Sequence, residues 1–152
     1  MDYISDIRAK IGHDPIILTF AGGILADEDN KVLLQKRSDF KEWGLPGGAI
    51  DFGETAEESC VREFKEEIGI DVKVISLLGV STDNIQHYPN GDVAQAIVIA
   101  FLVKKISSKN SNTDTETIKF DYFGKENLPK IFNKQHKFMI DKFFKNETPF
   151  YD

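Results

Sequence analysis

Residues 55–69, TAEESCVREFKEEIG, constrain this chain more than any other segment. Thr55 is a good helix N-cap, and Glu58 three residues later completes a capping box, T-A-E-E. Gly69 suits a helix C-terminus. On the helix this predicts, Glu63, Glu66 and Glu67 stand at i, i+3 and i+4 and share a sector of ~100°. Cys60, Val61, Phe64 and Ile68 define a separate sector, rotated by roughly 120°. One side is therefore built for burial, and the side next to it carries three carboxylates that repel one another by roughly 0.2–0.5 kcal/mol per pair. Arg62 adjoins them, and a Gly-rich stretch, 46–54, leads into the helix N-terminus. Hard oxygen donors on one rigid face suit Mg²⁺ or Mn²⁺.

The remaining pattern is mixed. Ile4, Ile7 and Ile11 predict a short amphipathic helix over 3–11, which Pro15 closes off. Residues 16–27 read as a strand with an irregularity at Gly22-Gly23, consistent with a bulge, and 32–36 as a second strand. With the turn EDNK between them, 16–36 reads as a hairpin. Residues 38–53 read as loop, 71–80 and 93–103 as strands, 81–92 and 106–115 as polar loops, and 116–123 as a late strand. Ile131, Phe132, Phe138, Met139 and Phe143 predict a C-terminal helix over about 130–145, packed on the sheet with its Lys residues in water. This order of elements predicts an α+β fold, an α/β/α sandwich with a central mixed β-sheet, over one domain, 1–152.

Charge narrows the function. Nineteen Lys and Arg against 25 Asp and Glu give −6, so the surface as a whole does not attract phosphate and non-specific binding of nucleic acid is not expected. An anionic ligand would need its charge offset locally, and a divalent cation is the obvious agent. A single cysteine, Cys60, cannot form an internal disulfide, which points to a reducing compartment and a cytoplasmic setting. Asp2 and Asp6 argue against a signal peptide, and no uncharged apolar run reaches 18 residues, so no membrane span is expected.

The spacing G-x5-E-x7-R-E-U-x-E-E-x-G-U, with U a bulky apolar residue, is filled at every position by Gly48, Glu54, Arg62, Glu63, Phe64, Glu66, Glu67, Gly69 and Ile70. This segment, 48–70, resembles the Nudix box. Phe64 departs from the usual Ile, Leu or Val, which predicts a repacked core with the chemistry kept. The flanks VLLQKR (32–37), WGLPGG (43–48) and ETIKFDYFGKENLP (116–129) are similar to the same family, so the likeness runs over roughly 16–145.

The resemblance implies a MutT-like Nudix hydrolase, which cleaves a nucleoside diphosphate linked to another moiety with water as nucleophile and Mg²⁺ or Mn²⁺ as cofactor. By position, Glu63, Glu66 and Glu67 would be metal ligands with the Gly48 carbonyl. Arg62 would orient a carboxylate, Glu54 being the candidate. The general base is open between Glu63 and Glu116; a helix positions a base more precisely than a polar loop, which favours Glu63. Arg37 is a candidate for a substrate phosphate, Trp43 for stacking on a base, and Tyr88 for a dinucleoside polyphosphate. Ile85 stands where a Pro would point to ADP-ribose. The substrate stays open among nucleoside triphosphates, ADP-ribose or nucleotide sugars, dinucleoside polyphosphates and the 5′ end of triphosphorylated or capped RNA. A homodimer is compatible with the sequence. A non-catalytic sensor module of the same fold is the competing class, and such modules usually lose box carboxylates that this chain keeps.

Overall fold

In the computed structural model, which describes residues 2–38, 40–108 and 117–152, helix α2 runs over Ala56–Ile68 with the expected ends. The Thr55 side chain accepts from the Glu58 amide, the Glu58 carboxylate accepts from the Thr55 amide, and Gly69 takes the left-handed conformation at φ 69°. The other helices are α1, Tyr3–Ile11, capped by Asp2, and α3, Lys134–Phe144, capped by Asn133. Helix α3 starts later than the sequence suggests. Residues 130–132 are held extended against Trp43, whose amide donates to the Lys130 carbonyl and whose carbonyl accepts from the Phe132 amide.

Two sheets lie between the helices. The larger joins β1 (Ile16–Leu25), β4 (Gly47–Ala49), β5 (Ile70–Ser81), β6 (Ile85–His87), β7 (Val93–Ser108) and β9 (Phe150–Tyr151), in the order β4-β1-β7-β5-β9 with β6 also on β7. Strand β1 runs parallel to β7 and antiparallel to β4, so the sheet is mixed. The smaller sheet is β3 (Trp43–Gly44), β2 (Val32–Arg37) and β8 (Thr117–Phe123), in the order β3-β2-β8. The fold is α+β.

Three expectations need correcting. Residues 16–36 are not a hairpin: β1 and β2 lie in different sheets and share only a bridge between Ala26 and Val32. Both edges of β1 are taken, by β4 and β7, and the Asp27 carboxylate caps the turn by accepting from the amides of Asp29 and Lys31. Gly22 and Gly23 are not a bulge, because β1 pairs with β7 in unbroken register from Ile16↔Ala94 to Leu25↔Val103. They are glycine because the strand is crowded: a Cβ on Gly22 would lie 2.9 Å from the Pro46 carbonyl oxygen, and one on Gly23 would lie 3.0 Å from Phe64. The loops 38–53 and 81–92 carry the short strands β3, β4 and β6: β3 and β6 pair with their chain neighbours β2 and β7, and β4 pairs with the more distant β1.

The core has two layers. Cys60, Phe64 and Ile68 of α2 bury against Leu25, Leu33 and Val72. Met139 and Ile140 of α3 bury against Leu34, Val98 and Phe150 on the other side. Phe64 is fully enclosed, so the box position that departs from the usual aliphatic residue is a filled core site. Among the described residues no helix is long and apolar enough to cross a membrane.

Candidate active site

Arg62 is the hub of the acidic face. Its Nε donates to Glu54 Oε2 at 2.6 Å and its Nη2 to Glu54 Oε1 at 2.9 Å, a bidentate pair. Nη1 donates to Glu63 Oε1 at 2.9 Å and to Glu66 Oε2 at 3.1 Å, while Nη2 also reaches the Ala49 carbonyl at 3.3 Å. The Arg62 hydrogen bonds hold the Glu54 carboxyl below its usual range, and Glu54 in turn raises Arg62 further above its own. Glu58 is spent on the helix cap and takes no part. The Asp51 carboxylate stands 3.5 Å from Arg62 Nη2 and also accepts from the Tyr3 amide at 3.1 Å, which seats α1 beside this cluster.

The three helix carboxylates differ in environment. Glu66 is half exposed. Glu63 lies against Gly48 so closely that a Cβ there would fall on its carboxylate, which is why that backbone position is glycine. Glu67 is 4% exposed. Its Oε2 accepts from Gln35 Nε2 and its Oε1 from the Gly47 amide, both at 3.0 Å. Burial, and then the Glu63 charge, push Glu67 up to about 8.

The donor set fits a hard divalent cation in kind: three carboxylates on one face, with glycine backbone against them. It is not closed on one point. Among the described residues no three carboxylate, imidazole or thiol groups converge as a finished metal site, and Arg62 bridges Glu63 and Glu66. The guanidinium thus offsets the charge of the two carboxylates it links.

These residues line one end of a cleft of about 680 Å³. The other end is amide-rich, with Arg37 and Asp92 also in the lining. Gln86 Oε1 accepts from Asn84 Nδ2 at 3.2 Å and from Asn133 Nδ2 at 3.0 Å. Residues 84, 86, 88, 90 and 92 all line the cleft: Gln86 is on β6, and 88–92 follow as a turn closed by the Gly91 amide donating to the Tyr88 carbonyl. His136 joins this wall. Its Nδ1 accepts from the Leu45 amide at 2.9 Å, and burial, helped by the nearby Arg37 charge, pulls its pKa down to about 3, so the ring is neutral.

Of the other sequence candidates, Arg37 lines the cleft with its guanidinium 5.3 Å from the Phe132 ring centroid, and Tyr88 lines it with its ring 5.9 Å from Phe40. Trp43 is not brought to the cleft. It packs edge-on against Phe123 at 4.9 Å, with the Lys119 ammonium over its ring, as part of the core layer beneath α3. Glu116 lies outside the described residues. Sequence reasoning missed Gln35, Asp51, Asn84, Gln86 and His136. Gln35 is signalled by a polar residue inside an apolar strand, and Asn84 and Gln86 by alternate positions in a polar loop, while Asp51 and His136 carry no local signal.

The NUDIX domain model matches residues 19–143. This chain belongs to the Nudix hydrolase family. A protein of Methanocaldococcus jannaschii named ADP-ribose pyrophosphatase is 39% identical over 120 residues, covering 77% of this chain and 68% of that one. A Proteus vulgaris protein named 8-oxo-dGTP diphosphatase is 36% identical over 74 residues, covering 46% of this chain and 62% of that one. The crystal structure of a MutT Nudix hydrolase from Burkholderia pseudomallei superposes with a TM-score of 0.68 at 26% identity, over 84% of this chain and 97% of the other. In Nudix terms, the box runs from β4 through α2 to the start of β5, and it supplies the acidic end of the cleft.

Proposed function

We propose that this Nudix hydrolase cleaves a nucleoside diphosphate linked to another moiety, by attack of water on phosphorus, with Mg²⁺ or Mn²⁺ bound. One observation carries the reading: Glu63, Glu66, Glu67 and Arg62 line the same cleft as the amides of Asn84, Gln86 and Asn133 and the rings of Tyr88 and Phe132. The acidic end suits a metal-bound diphosphate, and the amide end suits a neutral, hydrogen-bonding group such as a nucleobase. Glu63, Glu66 and Glu67, with the Gly48 backbone, would hold the metal. A divalent cation so bound neutralises diphosphate charge and lowers the pKa of coordinated water.

The chain's own groups do the rest. Arg62 fixes Glu54 and, with its other nitrogen, keeps Glu63 and Glu66 on the cleft side. Arg37 supplies a cation to a substrate phosphate. Glu63 is the preferred general base and Glu116 the alternative. Glu116→Gln should lower kcat by ~10²–10⁴-fold with apparent metal affinity unchanged if Glu116 is the base. Glu63→Gln should weaken rate and metal binding together if the helix residue serves both roles. A buried lone cysteine agrees with a cytoplasmic setting. The reading is tested by Mg²⁺-dependent turnover over ADP-ribose, nucleotide sugars, damaged and ordinary nucleoside triphosphates, dinucleoside polyphosphates and 5′-triphosphorylated RNA. In ¹⁸O water the label should enter a phosphate product. Label in a non-phosphate product, or no turnover on the whole panel, would overturn it.

A further inference from the structure

We infer that Gln35 is a positioning residue for the metal site: its side-chain amide, reaching in from the second sheet, fixes the carboxylate of Glu67. The inference rests on the reading of Glu67 as a metal ligand. Gln35 sits in the middle of β2, between two strands of its sheet, and is 1% exposed. Side chains alternate along a strand, so Leu33 and Gln35 share the face of β2 toward α2. Leu33 uses that face to pack with Cys60 and Phe64. Two residues on, an apolar side chain would continue the same packing, yet the chain places an amide there. A buried amide is unfavourable unless it is hydrogen-bonded, and this one donates to Glu67 Oε2 at 3.0 Å.

The opposite oxygen of the same carboxylate accepts from the Gly47 amide at 3.0 Å. The two donors come from different sheets and grip one oxygen each. That fixes both the position and the plane of the carboxylate, while each oxygen keeps a further lone pair. Hydrogen-bond partners of this kind set the orientation of metal ligands, and their loss typically costs 10–100-fold in metal affinity. The Gly47 amide is backbone, so Gln35 is the half of the grip that a side-chain substitution can remove.

The test is Mn²⁺ titration of the whole chain without nucleotide, by electron paramagnetic resonance, for wild type, Gln35→Met, Gln35→Asn, Glu67→Gln and the Gln35→Met/Glu67→Gln pair. Met fills the space without a donor; Asn keeps the amide but is one methylene short. Both should weaken Mn²⁺ binding by ~10–100-fold. Saturating Mn²⁺ should restore most of kcat with the nucleotide KM unchanged. Adding Gln35→Met to Glu67→Gln should cause little further loss of Mn²⁺ affinity, because the charged ligand that the grip orients is already gone. Wild-type affinity in folded Gln35→Met and Gln35→Asn, with affinity lost in Glu67→Gln, would overturn the positioning role alone. Wild-type affinity in Glu67→Gln would overturn the ligand reading and this inference with it. Should Gln35→Met fail to fold, Gln35→Asn carries the same comparison, read as the rise in Tm that Mn²⁺ produces.

Discussion

Glu67 is a carboxylic acid held out of water, and its titration follows from that. Burial and the Glu63 charge raise it from an ordinary 4.5 to about 8 in the metal-free protein. The folded state therefore binds more protons than the unfolded chain between those values. Its contribution to stability is fully present below the unfolded value and is lost as pH rises through the folded one. Metal-free wild type should thus lose stability relative to Glu67→Gln between about pH 4.5 and pH 8, by at most about 1.4 kcal/mol per pH unit, and level off above that. Urea unfolding in EDTA at several pH values checks this, and parallel curves for the two proteins would contradict it. Arg62 makes a second prediction at this scale. Arg62→Lys keeps the charge but loses the fork that grips Glu54 through both oxygens, so kcat/KM should fall by ~10–100-fold. The helix spacing alone makes Glu63, Glu66 and Glu67 legible as one face with Arg62 beside them, because a helix converts sequence spacing directly into a shared face, whereas Glu54 precedes the helix and is legible only through the resemblance. Gln35 was not legible, since what it bonds lies 32 residues away and no local pattern encodes that.

At the scale of elements, α2 was legible in full because both its ends are made by local chemistry: the Thr55–Glu58 capping box and the left-handed Gly69. Thr55→Ala should cost about 1 kcal/mol of stability and leave kcat unchanged at a temperature where the protein is folded. Phe64→Ala should cost ~3–5 kcal/mol, since that ring is enclosed on every side. Thermal unfolding separates the two, and equal losses would contradict the packing described here. Strand existence was legible and strand pairing was not. The apparent hairpin 16–36 failed because the partners of β1 come from residues 47–49 and 94–103, and no turn signal records a pairing that distant. Gly22 and Gly23 show the same limit. A glycine in a strand marks either a bulge or a crowded approach, and only the fold shows that Pro46 and Phe64 are the neighbours. From its place beside LPGG, Trp43 is open between stacking on a base and packing, and in the fold it packs against Phe123 and the extended stretch before α3.

At the scale of the molecule, the cleft brings together α2, the short strand β4, the segment 84–92 and the start of α3. Its acidic end comes from one local motif, so it survives in a single sequence. Its amide end comes from Asn84, Gln86 and Asn133, which meet only through tertiary structure. That difference explains why the reaction class was readable and the substrate was not. The overall charge of −6 sharpens the dependence on metal, because neither the protein as a whole nor the acidic end offers an anion a favourable field on its own. Replacing Gln86 with Leu should therefore raise KM for the preferred nucleotide by ~10-fold while leaving apparent Mg²⁺ affinity unchanged, as expected if the amide end holds a part of the substrate remote from the chemistry. A fall in metal affinity without a change in KM would show that the two ends of the cleft are not separate in function. The most direct measurement for the account as a whole is turnover of the best nucleotide substrate by wild type and Glu67→Gln, each with Mg²⁺ and with excess EDTA. The account predicts Mg²⁺-dependent wild-type activity, abolished by EDTA, and a loss of ~10²-fold or more in the folded Glu67→Gln variant. Undiminished turnover in EDTA, or wild-type rates in Glu67→Gln, would contradict it.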